Sequence, residues 1–208
     1  MNWRLRAFLR LVTGHHGAFR EPELSARAAS LTGAWQARFG DQQPRGYFLR
    51  DSERERWVRF HSLPESKRYA ESASEHAQVF ERHRVVLEQL SDGGPLVVIA
   101  ADWDWRDMAA GWTRALLPKA WPWRASRDEP DEPMTYFWVA EFATIDDLRP
   151  LLRAVADDVG NALITAETLD WAYCPYDGGA DVIAASPADR DRIARSHADW
   201  LPQNEAGL

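Results

Sequence analysis

Apolar residues recur along this chain in two periods, and the clearest stretch is helical. His76, Val79, Phe80, His83, Val86, Leu87 and Leu90 share one stripe at 3.6-residue spacing. Ser72 and Glu75 precede it at capping-box separation, and Asp92-Gly93-Gly94 follows and stops it. Leu96–Ala101 and Thr135–Phe142 are apolar at both parities, the pattern of strands covered on both faces and adjacent at the centre of a sheet. Trp171–Tyr176 and Ala180–Ala185 flank Asp177-Gly178-Gly179 as a hairpin, with Pro175 marking its strand as an edge. Gly46–His61 reads as a second hairpin turning at Asp51-Ser52-Glu53.

Further helices are expected over 2–12, from Pro22 to about Phe39, over 105–117, after Thr144-Ile-Asp-Asp, and from Ser186-Pro187-Ala188-Asp189 towards Trp200. Thr13-Gly14-His15-His16-Gly17 breaks the first of these, and Pro118–Pro133, with four prolines, is expected to be a long loop. Five or six strands, five helices and two hairpins predict an α+β fold: an α/β sandwich with a mixed, partly antiparallel sheet flanked by helices. A chain of 208 residues suits one domain over 1–208, with 1–40 a helical portion packed on it or appended to it.

Composition removes several classes of function. A lone Cys, Cys174, makes no internal disulfide and anchors no Cys-rich zinc site, and its default role is a small hydrophobe. No apolar run nears the ~18 residues of a membrane span, and charges interrupt the first ten residues, so a cytoplasmic protein without a membrane partner is expected. Net charge is −7, unevenly spread: residues 1–100 hold 15 Lys+Arg against 12 Asp+Glu, and residues 101–208 hold 10 against 20. The acidic half repels nucleic acid and attracts a basic protein partner.

Candidate chemistry concentrates in three places. Arg59, His61, Ser62, Ser66, Lys67 and Arg68 gather cations, an imidazole and hydroxyls within ten residues, a set able to grip a phosphate or carboxylate with His61 as acid or base. The same set also fits a structural role, with Arg59 paired to a carboxylate across the hairpin and Ser62 capping a turn. Asp102 and Asp104 follow an apolar strand as a Mg²⁺-binding pair would, although caps of the next helix fit them better, and no metal or cofactor is expected. Trp121 and Trp123 stand among prolines near Asp128, Glu129, Asp131 and Glu132. Exposed, the tryptophans would anchor a basic partner that the carboxylates steer; folded down, they would staple the loop.

Trp57-Val-Arg-Phe-His-Ser-Leu-Pro-Glu-Ser-Lys-Arg-Tyr69, Tyr176-Asp-Gly-Gly-Ala-Asp-Val-Ile183 and Asp199-Trp-Leu-Pro resemble a group of bacterial proteins bearing only a domain-of-unknown-function label. The resemblance implies a bacterial cytoplasmic setting and carries no activity. Together these features predict a non-enzymatic protein-binding module, of the toxin-neutralising, immunity-like kind. The competing expectation is a small enzyme for a phosphorylated or carboxylated substrate at the Arg/His/Ser/Lys block.

Overall fold

The computed structural model describes residues 25–102, 112–127 and 134–203. The expected first helix at 2–12 and its Gly-His break, Asp104, and the acids Asp128, Glu129, Asp131 and Glu132 lie outside them.

Among the described residues, seven strands form one sheet in the order β1-β7-β6-β5-β2-β4-β3. They are β1 (Trp57–His61), β2 (Leu96–Asp102), β3 (Trp121–Ser126), β4 (Thr135–Phe142), β5 (Asn161–Thr165), β6 (Ala172–Tyr176) and β7 (Gly179–Ile183). All pairings are antiparallel, which corrects the expected mixed sheet. The reason is topological. The helix after β1 returns the chain to run β2 in the direction of β1, but β5, β6 and β7 are inserted between the two. Each neighbour is therefore reversed.

Helices α1 (Ala26–Phe39), α2 (Gly46–Ser52), α3 (Ala73–Ser91), α4 (Trp112–Leu116), α5 (Arg149–Ala156) and α6 (Pro187–Ser196) are divided between the two faces. On one face Val98 and Ala100 of β2, Ile164, Tyr173 and Val182 meet Phe80 and Leu87 of α3, Leu152 and Val155 of α5 and Ile193 of α6. On the other, Val97, Ile99 and Ala101 of β2, Phe137, Val139 and Ile183 meet Trp35 and Phe39 of α1 and Leu49 of α2. The double-apolar strands β2 and β4 are paired, and neither is an edge. Ser72 and Glu75 form the capping box of α3, and Asp92, in the left-handed region, ends it. Ser186 caps α6 ahead of Pro187 at the first helical position.

Four local expectations are corrected. Gly46–Ser52 is helix α2, not a strand; Leu49 is its one buried residue, and a Cβ at Gly46 would stand 2.8 Å from Cys174 Cβ, so glycine lets the helix start sit on the sheet. The partner of β1 is accordingly β7. Trp121–Ser126 is an edge strand rather than loop, a position where Pro122 costs no internal ladder bond, with a register shift between Pro122 and Arg124. Pro175 lies in an interior strand, tolerated because the β5 ladder stops at Ile164 and Tyr173. The fifth strand, Asn161–Thr165, is too short for period alone to separate it from loop.

Val98 is fully buried. Val98→Asp should therefore abolish the native circular-dichroism spectrum and the cooperative thermal transition, because the charge would have no partner. Leu87→Ala should fold but lose about 2–5 kcal/mol in urea unfolding.

Candidate functional site

The open edge of the sheet, where β1 meets β7, collects the polar chemistry. Strand alternation puts Trp57 and Arg59 on one side of β1, opposite Asp181 of β7. Arg59 donates from Nε to Asp181 Oδ1 at 2.8 Å and from Nη2 to Oδ2 at 3.0 Å, while Trp57 Nε1 donates to Oδ1 at 2.9 Å. The guanidinium lies over the rings of Trp57 and Tyr176. Burial opposes the charge on Arg59, but the bonds and charge of Asp181 outweigh it and raise its pKa. Burial pushes the Tyr176 phenol up to about 12. Beneath them, burial and then the Asp181 charge hold the Cys174 thiol well above its ordinary range.

The other cations of this block are also held by carboxylates. Lys67 Nζ donates to Glu75 at 2.7 Å and Glu71 at 3.0 Å; Arg68 pairs with Asp177, which also accepts from Tyr69. Glu75, bonded by Lys67 and by backbone N–H groups, is pulled down to about 2. Thus Arg59, Lys67 and Arg68 fasten β1 and the following turn to β7, the β6–β7 turn and α3. A Cβ on Gly179 would lie 2.0 Å from the Phe60 carbonyl oxygen, so only glycine permits that approach of the two strands.

His61, Ser62 and Ser66 have a different setting. His61 and Ser66 line a hollow of about 570 Å³ with Leu63, Glu65, Asp199 and Leu201. Glu65 and Ser66 sit in the left-handed region at φ 55° and 56°, which non-glycine residues rarely adopt outside functional or tightly packed turns. Neither Glu65 nor Asp199 makes an ion pair within 4 Å among the described residues. His61 and Ser62 also border a cavity of about 10 Å³ with Arg82, His83 and Tyr173. Burial, then Arg59 and Arg82, push the His61 imidazole down; burial and Arg82 do the same to His197. Arg82 and His83 carry no motif. Their only sequence signal is an Arg beside the apolar stripe and a His within it, which reads as an ordinary helix face.

The tryptophans divide. Trp123 is 1% exposed, with Trp35 and Phe137 against it and its Nε1 donating to Thr32 at 3.0 Å, so it is core and not a free anchor. Trp121 is partly buried beneath the Arg27 guanidinium. Asp102 is buried and accepts from Thr113 Oγ1 at 2.8 Å, fastening β2 to α4. No three His, Cys, Asp or Glu among the described residues are grouped to hold a metal ion, and no described helix is long and apolar enough to cross a membrane.

A family model described as a domain of unknown function, DUF3885, matches residues 45–205. No curated protein and no solved structure matches the chain.

Two measurements test these assignments. Arg59→Ala leaves Asp181, 4% exposed, without its cation and should cost about 3–5 kcal/mol in urea unfolding, with part recovered in Arg59→Ala/Asp181→Ala. His83 is fully buried, and burial takes its pKa from 6.5 to about 4. Above pH 6.5 it is neutral folded or unfolded; below, only the unfolded chain gains the proton, so stability falls as pH drops from 6.5 to 4. Its share is about 3 kcal/mol, which His83→Gln should remove from the slope of unfolding free energy against pH.

Proposed function

The chain belongs to the DUF3885 family, and we propose that it is a protein-binding module that receives a Lys or Arg side chain of a basic partner in the hollow between Glu65 and Asp199. The observation that carries this reading is the pairing state of the charges. Every cation of the Arg59–Arg68 stretch already has a carboxylate, whereas Glu65 and Asp199 border the hollow with no cation paired to them among the described residues. A volume near 570 Å³ is within the range of ligand sites and takes one or two residues of a partner chain. Leu63, Pro64 and Leu201 offer apolar wall to the methylene stem, and the carboxylates face its charged end.

The charge of the chain favours the same partner. A net −7, with the excess of acid in residues 101–208, favours the approach of a basic protein to this chain. Contact would depend on shape inside the hollow, and approach would depend on salt. The module is of the kind that occupies and neutralises a partner, and a bacterial cytoplasmic setting suits it.

The test is backbone amide NMR with two short peptides, one rich in Lys and Arg and one rich in Glu. The basic peptide should shift resonances at 61–66 and 199–203, with affinity falling at least tenfold in Glu65→Gln/Asp199→Asn and weakening as salt rises. Shifts at 63–66 caused by the acidic peptide instead would replace this reading with that of an enzyme acting on an anionic substrate.

A further inference from the structure

Beside the hollow lies the cavity of about 10 Å³ bordered by His61, Ser62, Arg82, His83 and Tyr173, with Trp200 at its side. That is room for a single water-sized occupant. Its walls are unusual in what they offer. His83 Nδ1 is hydrogen-bonded to the Tyr173 hydroxyl, and His83 Nε2 is buried without a partner. Burial keeps the Tyr173 phenol protonated, and the phenol has no other hydrogen-bond partner among the described residues. The arrangement that satisfies both groups has the phenol donating to Nδ1. The single proton of a neutral His83 then sits on Nε2, as an unused donor.

Arg82 adds charge. It donates from Nη1 to the His61 carbonyl at 2.7 Å and lies over the Trp200 ring, with no carboxylate within 4 Å among the described residues. Asp199 acts on it only from beyond that distance, and burial lowers its pKa. Ser62 is 4% exposed, and its hydroxyl makes no side-chain hydrogen bond to the described residues. The His61 carbonyl is already occupied by Arg82. A water could accept from His83 Nε2 and donate to Ser62 Oγ, but it would leave Arg82 without a counter-charge in contact. An anion needs donors alone, which His83, Ser62 and Arg82 supply.

We propose that this cavity is an anion site, in which Arg82, the Nε2–H of His83 and the Ser62 hydroxyl hold one small negatively charged atom. That atom is a free halide or the terminal oxygen of a larger oxyanion. The site is separate from the acidic hollow and does not depend on a partner binding there. It gives the half-buried Arg82 a counter-charge and the orphan His83 N–H an acceptor.

The experiment is thermal unfolding of the full chain with sodium bromide or sodium phosphate at matched ionic strength, paired with a crystal grown in bromide. At about ten times Kd the occupied ion should raise Tm by roughly 3–6 °C. Arg82→Gln, which keeps an N–H for the His61 carbonyl, and Ser62→Ala should each remove that rise, whatever they do to the starting Tm. A rise with bromide and an anomalous peak beside His83 Nε2 identify a halide site. A rise with phosphate alone identifies an oxyanion terminus. An equal rise in Arg82→Gln, or no rise with either salt and water beside Nε2 in the crystal, overturns the proposal. Loss of the basic-peptide shifts at 63–66 would leave it standing, because those residues line the acidic hollow and not this cavity.

Discussion

Covering both faces of one antiparallel sheet is the constraint from which the rest of the molecule follows. A strand with helices on each side has no solvent face, so β2 must be apolar at every position up to Asp102. Polar chemistry is then excluded from the middle of the sheet and displaced to where the cover ends. That place is the β1–β7 margin, where Arg59 and Asp181 can be almost buried only because they satisfy one another within a frame of Trp57 and Tyr176. An ion pair there adds little net stability over an apolar pair, but it tolerates no other register of β1 on β7. The margin is thereby fixed in place, and with it the two spaces that border His61.

Those spaces have opposite character although one imidazole borders both. Among the described residues, the larger has carboxylates without ion-pair partners, and the smaller has the unpartnered His83 Nε2 and an Arg82 with no carboxylate in contact. Arg82 lies between these tendencies: Asp199 acts on it from one direction, while its own charge lowers the pKa of His61 and His197. The histidines are held in their neutral form near pH 7, so His61 separates the two fields as a dipole rather than a charge. Burial is the larger cause, and Arg82 adds to it, since a second cation beside it would have no acid in contact among the described residues.

Legibility from sequence followed the strength of the local signal. The capping box at Ser72 and Glu75, the double-apolar runs of β2 and β4, and the Asp-Gly-Gly turn each express a local rule, and the fold obeys it. Gly46–Ser52 was ambiguous because seven residues with one buried leucine satisfy either period, and a contact with Cys174 distant in sequence decides it. The all-antiparallel sheet was not legible at all, since it depends on the insertion of β5, β6 and β7 between β1 and β2. At the site, the composition of the Arg59–Arg68 block was plain but its pairing was not. The partners Asp177 and Asp181 lie more than a hundred residues away. Arg82 and His83 acquire meaning only when α3 is laid against β1 and β6.

The lone thiol of Cys174 has a consequence of a different kind. It lies under Gly46 at the start of α2 and beside Asp181, buried on the inner side of a strand that is paired on both edges. An alkylating reagent can reach it only after α2 lifts away or β6 separates from its neighbours, and burial keeps it in the unreactive thiol form meanwhile. With a single cysteine in the chain, each labelling event counts one opening of that region. The protein therefore carries a built-in clock for the excursions of its own sheet margin.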